Sequence, residues 1–334
     1  MAPAPLAVSL GDPAGVGPEL ICEAWARREA ERLPPFVVCQ GRGVLTAAAT
    51  RRGLDIPVAA VSGFAEAGRT FPEALPVLGG MDCASSPGEP SEEGARLALA
   101  SLETATAWAV DGSAGGLVTG PIAKARLAEV GFAFPGQTEF VADACAIAAQ
   151  DAVMMLAGPS LRTVPMTVHV ALAEVPRRLT SELIVRRARI VAAALRGDFG
   201  IAEPRLAICG LNPHAGEDGK MGHEEIEIIA PAIATLRAEG IDATGPHPAD
   251  TLFAPRKRGT YDVAIAMYHD QALVPLKTLD FDQGVNVTLG LPIVRTSPDH
   301  GTAFDIAGKG LADPGAMIAA IRMAGEIAAR RAAA

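Results

Sequence analysis

The sequence has few aromatic residues, no excess of basic residues and no long uninterrupted apolar run. Aromatic residues make up only 4% of the 334 positions, and the formal net charge at pH 7 is −9. Because nucleic-acid binding needs clustered Lys and Arg to contact phosphates, this charge argues against a nucleic-acid partner. No window reaches the roughly 18 uncharged apolar residues of a membrane-spanning helix. We therefore expect neither nucleic-acid nor membrane binding, although a small anionic substrate would need only a few local cations.

Cysteine is also scarce, and its positions form no C-x-x-C pair. The five residues are Cys22, Cys39, Cys83, Cys145 and Cys209. Widely spaced cysteines with mostly apolar neighbours are typical of buried free thiols in a reducing compartment. The first residues combine no basic region with a long apolar run, so we expect no signal peptide. These features predict a cytoplasmic protein.

Familiar nucleotide-binding and metalloprotease motifs are missing. The segment "CQGRGVLT" resembles the beginning of a dinucleotide fingerprint, but Thr46 occupies the third glycine position, so we interpret it as a turn into a helix. Neither "GEDGK" nor "AGKG" has the spacing of a Walker loop. The segment "HEEIE" lacks the second histidine of H-E-x-x-H, because position 227 is Glu227.

The sequence does contain a regular alternation of short β-rich runs and helical patterns. Strands are predicted at "LAVSL", "FVVC", "GLVTG", "AVMMLAG", "TVPMTVHV", "RLAICGL", "VAIAMY" and "GVNVTLGLPIV". Apolar residues at helical spacing predict helices over 92–110 and 224–239, and an Ala-rich helix at the C-terminal end. Continuous apolar strands alternating with helices imply an α/β fold with a largely parallel sheet. A chain of this length predicts about two domains.

Three of the six histidines come at or after the ends of apolar strands. His169 lies in or after "MTVHV", His214 follows "AICGLNP", and His269 follows "AIAMY". Ligands of parallel sheets collect beyond the carboxyl ends of strands, so the fold could bring these imidazoles together. Three neutral imidazoles suit zinc and similar metals and leave positions open for a substrate. Alternatively, each histidine is an isolated polar residue whose hydrogen bonds the backbone satisfies.

Carboxylates and cations lie near the same predicted strand ends. Asp270 follows the third of these histidines directly, and Asp250 lies in "GPHPADTLF". Either carboxylate could orient a metal ligand or accept a proton. Lys277, Asn286 and Arg295 follow at intervals of about nine residues. A phosphate or carboxylate ligand would explain this Lys and Arg better than simple solvation does.

Two glycine-bearing stretches are candidates for binding loops. The first, "SLGDPAGVGPEL", runs from a predicted strand into a turn whose glycines permit close backbone approach to a ligand. The second, "TSPDHGTAFDIAGKGLADPGAM" at 296–317, concentrates polar groups between Pro-Gly turns. A tight strand-to-helix turn and a solvated connection are the alternative interpretations.

Long motifs from about residue 6 to 320 together resemble the 4-hydroxythreonine-4-phosphate dehydrogenase family of vitamin B6 synthesis. They are "GDPAGVGPE", "TGPIAK", "GQTEF", "LNPHAGEDGKMGHEE", "PADTLF", "MYHDQALVPLK" and "GVNVTLGLPIVRTSPDHGTAFDIAGKG". The first also resembles a motif of the isocitrate and isopropylmalate dehydrogenases, and "HGTAFDIAGKGLADP" resembles their nicotinamide-cofactor loop. The resemblance implies two α/β/α domains with a cleft between them. Residues 1–125 plus 293–334 would carry the cofactor loop, and 126–292 the metal and substrate ligands and the dimer interface.

The resemblance also assigns site residues by position. It implies metal ligands at His169, His214 and His269, substrate contacts at Gln137, Thr138, Lys277, Asn286 and Arg295, and cofactor contacts at His300, Gly301, Thr302 and Asp305. Asp250 or Asp270 is expected to accept a proton. Gln137 departs from the histidine that the family usually has, so it cannot carry charge or relay a proton. The family forms homodimers in which the partner supplies the third histidine of each site.

The reaction implied by the resemblance is a metal-dependent oxidation with NAD or NADP. The substrate would be 4-hydroxythreonine 4-phosphate, oxidised at C3 to a β-keto acid that loses carbon dioxide and gives 3-amino-2-oxopropyl phosphate. Zinc is the expected metal, with magnesium and cobalt as alternatives. Other substrates remain open, namely a phosphorylated four-carbon sugar acid or a ring dihydrodiol. Phosphate acyltransferases, which use neither nicotinamide nor metal, can share a related two-domain architecture.

Overall fold

The computed structural model describes residues 4–333, in which short strands alternate with helices. The strands are β1 Leu6–Ser9, β2 Phe36–Cys39, β3 Val58–Val61, β4 Leu75–Leu78, β5 Leu117–Thr119, β6 Val153–Ala157, β7 Arg162–Pro165, β8 Arg205–Cys209, β9 Asp242–His247, β10 Val263–Ala266, β11 Val285–Leu289 and β12 Arg295–Pro298.

The α-helices lie between these strands and at the C-terminal end. They are α1 Gly17–Ala26, α2 Arg42–Arg52, α3 Phe64–Thr70, α4 Glu92–Val110, α5 Lys124–Glu129, α6 Gln137–Ala144, α7 Val175–Arg178, α8 Ser181–Gly197, α9 Ala230–Ala238, α10 Ala249–Leu252, α11 Pro255–Arg258, α12 His269–Asp280 and α13 Gly315–Ala333. One turn of π-helix, Glu225–Ile229, leads into α9. The α/β fold class predicted from the sequence is confirmed.

Two compact units divide the described residues. The terminal unit comprises 4–149 and Leu291–Ala333, and the central unit comprises Gln150–Gly290. This division differs from the predicted ranges mainly at 126–149, which belongs to the terminal unit because α5 and α6 pack against α4. Leu127 and Phe132 join the α4 residues Ala98 and Leu102 in one buried cluster. The functional roles assigned to the two domains stay predictions.

The sheet of the terminal unit is parallel throughout. Its strands lie in the order β3-β4-β2-β1-β5-β12, and each neighbouring pair is parallel. The residues of β1, β2 and β5 are fully buried, as continuous apolar runs in parallel sheets are. Sequence analysis missed β3, β4 and β12. β3 is half-exposed, Pro76 interrupts the pattern of β4, and β12 consists mainly of polar residues that are buried.

The central unit has a mixed sheet in the order β11-β6-β7-β10-β8-β9. The pairs β7–β10, β10–β8 and β8–β9 are parallel, whereas β6 is antiparallel to both β11 and β7. The short connection between β6 and β7 explains one antiparallel pair, since parallel neighbours need a long crossover. The predicted single strand "GVNVTLGLPIV" is wrong in its second half, because β11 ends before Gly290, whose φ is +84°.

The elements that position the candidate site are the three parallel strands β7, β10 and β8 and the helix α12. Within residues 4–333, no helix combines the length and apolar character needed to cross a membrane.

Candidate metal and substrate site

The three candidate histidines follow three adjacent parallel strands of the central unit. In the sheet, β10 lies between β7 and β8. His169 comes four residues after β7, His214 comes five residues after β8, and His269 begins α12 just beyond β10. Parallel strands end at the same edge of a sheet, which is where α/β proteins bind ligands. The structure therefore places all three histidines at one edge of the central sheet.

His169 and His269 lie side by side. Their ring centroids are 5.9 Å apart. Hydrogen bonds beyond the strand ends hold their segments together, since Met166 N donates to Ala266 O (2.7 Å) and Thr167 Oγ1 donates to Met267 O (2.8 Å).

Both rings line a cavity of about 250 Å³. Its other lining residues are Thr167, Val170, Leu172, Val175, Tyr268 and Asp270. His214 does not line this cavity. Among residues 4–333 of a single chain, no three His, Cys, Asp or Glu side chains gather closely enough to hold a metal ion. The structure thus brings two of the three predicted ligands together.

Helix α12 presents three of the predicted site residues to a neighbouring cavity. His269 Nδ1 donates to Asp270 Oδ1 (2.7 Å), so Nε2 is the ring nitrogen left to bind a ligand. The Asp270 side chain is 76% exposed, so solvent can reach the predicted base. Lys277 lies two turns further along and lines a cavity of about 440 Å³ together with His269 and Asp270. A candidate metal ligand, a carboxylate and a cation are therefore available on one helix.

His214 lies in an irregular turn whose backbone is left-handed. Over five consecutive residues, φ is positive: His214, Ala215, Gly216, Glu217 and Asp218 have values between +43° and +79°. Left-handed backbone costs roughly 1–2 kcal/mol per non-glycine residue, so the surroundings must hold this turn in place. His169 also has a positive φ, of +54°. Two candidate ligands therefore occupy backbone conformations that side chains rarely adopt.

Sequence analysis missed the buried polar residues that organise these strand ends. Gln271 is only 9% exposed; its Oε1 accepts from Met267 N (2.7 Å) and its Nε2 donates to Gly210 O (2.9 Å), so it joins the beginning of α12 to the end of β8. Glu225 is 3% exposed and accepts a hydrogen bond from Asn212 N (2.8 Å). Both lie inside motifs quoted above, but only their burial distinguishes them from ordinary surface residues.

The other predicted residues of the central unit are placed as follows. Asp250 is exposed on α10, which packs against the turn that carries His214. Asn286 is half-buried in β11, opposite Leu156 of β6. Its Oδ1 has no hydrogen-bond partner within the described part of the chain. A buried acceptor without a partner is costly, so this atom suits a donor from a ligand.

In the terminal unit, Arg295 and Gln137 form one buried network. Arg295 is 3% exposed, and its Nη2 donates to Thr119 Oγ1 (2.8 Å) and to Gln137 Oε1 (3.0 Å). Gln137 Nε2 donates in turn to Gly120 O (3.0 Å). Burial lowers the pKa of Arg295 to about 10, against the opposing effect of the Glu139 carboxylate. Arg295 therefore remains a cation at neutral pH. The predicted contact Thr138 is half-buried beside Gln137 in α6.

The two glycine-bearing stretches pack against each other. Val16 N donates to Thr302 O (2.9 Å), and the Glu19 carboxylate accepts from the backbone N–H of Gly308. A side chain at Gly15 would lie only 2.8 Å from Thr302 O, so glycine is required there. The two stretches therefore form one continuous surface in the terminal unit.

The predicted cofactor residues lie on this surface. His300 Nδ1 donates to Gly301 O (3.0 Å), which leaves Nε2 as the ring nitrogen that can accept a hydrogen bond. That atom is buried and has no partner among residues 4–333. Gly301 and Asp305 are exposed, and Thr302 is half-buried. An unpartnered acceptor beside exposed backbone fits a ligand that carries hydroxyl groups, as the riboses of a nicotinamide cofactor do.

Comparison with known proteins gives one consistent result. The family model described as "Pyridoxal phosphate biosynthetic protein PdxA" matches residues 31–324. A protein of Erythrobacter litoralis named 4-hydroxythreonine-4-phosphate dehydrogenase is 63% identical over 328 residues, which cover 98% of each chain.

Solved structures agree over nearly the full length. The crystal structure of 4-hydroxythreonine-4-phosphate dehydrogenase from Klebsiella pneumoniae superimposes with a TM-score of 0.85 at 37% identity and covers 98% of each chain. A terephthalate 1,2-cis-dihydrodioldehydrogenase from Burkholderia xenovorans is less similar, with a TM-score of 0.64 and 31% identity over 97% of this chain and 98% of that one. This chain therefore belongs to the PdxA family of pyridoxal phosphate biosynthetic proteins.

Proposed function

We propose that this protein is a 4-hydroxythreonine-4-phosphate dehydrogenase that acts in pyridoxal phosphate biosynthesis. The observation that carries the proposal is the 63% identity, over 98% of both chains, to a relative of that name. The reaction would oxidise the C3 alcohol of 4-hydroxythreonine 4-phosphate, with NAD or NADP accepting the hydride, and the β-keto acid would then lose carbon dioxide. The product would be 3-amino-2-oxopropyl phosphate.

The donor set at the edge of the central sheet suits a divalent metal ion. His169, His214 and His269 all follow strands that end at this edge of the sheet, and Asp270 orients the His269 ring as carboxylates orient metal-bound imidazoles. His169, His214 and His269 would hold the ion, with zinc as the first candidate and magnesium or cobalt as alternatives. When bound, such an ion lowers the pKa of a coordinated hydroxyl group and so favours its oxidation.

Side chains of the protein would hold the substrate and move its proton. Lys277 and Arg295 would bind anionic groups, since both are cations and Arg295 is already oriented by two hydrogen bonds. Gln137, Thr138 and Asn286 would supply neutral hydrogen-bonding groups. Asp270 is the better candidate to accept the C3 hydroxyl proton, because it lies beside His269 and is exposed, and Asp250 is the alternative.

The nicotinamide cofactor would bind at the paired glycine-bearing stretches. His300 Nε2 would accept a hydrogen bond from a ribose hydroxyl, and the exposed backbone around Gly301 would allow close approach. Thr302 and Asp305 would complete the contacts. The resemblance of this loop to that of isocitrate-type dehydrogenases supports this placement.

A homodimer is part of the proposal. Large apolar side chains are exposed at the two cavities that His269 lines. Leu172, in the first cavity, is 66% exposed, and Val274, in the second, is 61% exposed. Phe281 is 72% exposed, and its ring centroid lies 6.0 Å from Lys277 Nζ. Exposed apolar patches mark protein interaction sites, and a second copy of the chain would cover this one. The partner's His269 would complete each site, as the family resemblance implies. We expect the dimer to be cytoplasmic.

A substrate panel with NAD and a defined metal tests the proposal. Rates of NADH formation should be highest with 4-hydroxythreonine 4-phosphate and much lower with erythronate 4-phosphate and with a terephthalate dihydrodiol. The dihydrodiol is included because one structural relative bears that activity. A higher rate with either alternative would reassign the substrate, and failure to bind NAD in a titration would favour acyl transfer.

A further inference from the structure

The carboxylate of Glu225 is buried beside the turn that carries His214, and the proposed reaction does not use it. It accepts two hydrogen bonds, both from Asn212. The backbone N–H donates to Oε1 (2.8 Å), and the side-chain Nδ2 donates to Oε2 (2.9 Å). The same Nδ2 also donates to Glu224 Oε2 (2.7 Å). Because Asn212 lies two residues before His214, these bonds fix the entry to the turn.

The carboxylate of Glu225 is also enclosed by glycine backbone. A side chain at Gly216 would lie 2.6 Å from Oε2, and one at Gly210 would lie 3.1 Å from Oε1. Gly216 is the central residue of the left-handed turn, and Gly210 follows β8 directly. The carboxylate therefore touches the turn at its entry and at its middle, on either side of His214.

The local helix geometry is consistent with this contact. Glu225 is the first residue of the π-helical turn Glu225–Ile229, and single π-turns inside helices are frequent at functional sites. The charge is not required to hold a distant cation, since both carboxylate oxygens are already bonded to Asn212. The geometry instead indicates that Glu225 stabilises the conformation of the left-handed turn.

We propose that Glu225 is a positioning residue that fixes the His214 imidazole where the divalent ion binds. The inference rests on the proposed function, because it takes His214 to be a metal ligand. Glu225 itself is not a ligand in this scheme. It acts through Asn212 and the backbone of the turn, and its loss lowers metal affinity by letting the turn relax away from the left-handed conformation.

Cobalt titration of the metal-stripped, full-length protein measures this effect directly, because bound Co²⁺ gives a visible absorption band. Glu225→Gln keeps the size of the side chain but replaces one acceptor oxygen with an NH₂ group, which cannot accept from Asn212. Groups that support metal ligands typically change affinity about 10–100-fold, so the Kd for Co²⁺ should rise at least about tenfold. The matched control is Glu227→Gln, which makes the same change at an exposed position of the same π-turn and should leave the Kd unchanged.

A double-mutant cycle separates positioning from general destabilisation. If Glu225 acts through His214, Glu225→Gln should weaken cobalt binding in the wild-type background but cause no further loss in a His214→Ala background. An equal loss in both backgrounds would overturn the inference, and so would wild-type affinity in a folded Glu225→Gln variant. If circular dichroism shows that Glu225→Gln does not fold, Asn212→Ala takes its place, with the same direction expected and the same outcomes overturning the inference.

The wild-type titration distinguishes failure of the proposed metal site from failure of the role proposed for Glu225. Wild-type protein that binds no cobalt would overturn the proposed metal site and this inference with it. Wild-type protein that binds cobalt, together with an unaffected Glu225→Gln variant, would overturn the inference alone.

Discussion

At the scale of single residues, Gln137 shows what a neutral amide does beside a buried cation. Its Oε1 accepts from Arg295 and its Nε2 donates to Gly120 O, so both ends of the amide are used. A protonated imidazole at this position would face the Arg295 guanidinium, whereas an amide has no charge to oppose it. The departure from the family pattern was visible in the sequence. The hydrogen-bonding role of Gln137 could not be read from the sequence, because its partners Arg295 and Gly120 come from other segments of the chain.

Arg295→Lys tests how much the guanidinium group of this network contributes to substrate binding. Lysine carries the same charge but cannot reproduce the planar fork of guanidinium donors. Hydrogen bonds to charged groups contribute roughly 1.5–3 kcal/mol, so the KM for the phosphorylated substrate should rise about tenfold or more. Steady-state kinetics would check this, with Arg96→Lys on the exposed face of α4 as the control. An unchanged KM would show that Arg295 does not contact the substrate.

His247 should make the stability of the folded protein depend on pH. Burial lowers the pKa of His247, and the nearby Lys257 and Arg237 cations lower it further. The folded state therefore takes up this proton less readily than the unfolded chain does. His247 contributes stability above its ordinary pKa of 6.5, and that stability is lost as the pH falls through the lowered folded-state value.

The measurement is the difference in Tm between pH 8 and pH 5. It should be larger for the wild type than for His247→Gln, whose amide can still bond the Thr244 hydroxyl that the imidazole contacts now. The exposed His223→Gln variant should behave like the wild type. An identical pH dependence of His247→Gln and the wild type would contradict the argument.

At the scale of elements, the sequence predicts regular structure well and irregular structure poorly. The helix predicted over 92–110 is confirmed as α4, where Ser91 Oγ accepts from Gly94 N as an N-cap. Apolar periodicity and capping are local signals, so they can be found without the fold. The left-handed turn at His214 has no such signal, because four of its five residues are not glycine. Contacts with Glu225 and Asn212 stabilise it, and those contacts exist only in the folded chain.

Ala215→Gly tests whether the left-handed backbone stores strain. Ala215 has a φ of +53°, where glycine is not penalised. Relief of strain should outweigh the entropy that glycine adds to the unfolded chain, so the free energy of unfolding should rise by about 0.5–1 kcal/mol. The same substitution at Ala234, exposed in the middle of α9, should lower it by about 1 kcal/mol. Denaturant unfolding curves that show equal losses for both variants would rule out the strain.

At the scale of the whole molecule, the three histidines show which features of the site could be predicted from the sequence and which could not. The sequence predicted that His169, His214 and His269 follow strands, and the structure places those strands side by side. Spacing along the chain could not reveal that order, because strand order in a sheet depends on long crossovers. The sharing of the site between two copies of the chain is a prediction from the family resemblance.

Subunit complementation tests that sharing. His169→Ala and His269→Ala should each abolish turnover. Co-expression of the two variants should restore about one quarter of wild-type activity, because half of the dimers would be hybrids with one intact site out of two. Co-expression of two differently tagged copies of His169→Ala is the control and should restore nothing. Absence of activity in purified hybrid dimers would show that each site belongs to a single chain.

The central claim is that a divalent ion bound by these histidines is needed for the oxidation, and one measurement tests it most directly. The rate of NADH formation from 4-hydroxythreonine 4-phosphate is measured on chelator-treated protein before and after adding zinc, cobalt or magnesium. Our account predicts that stripping abolishes the rate and that at least one of these ions restores it in the wild type but not in His214→Ala. Full activity in protein shown to be metal-free would contradict it.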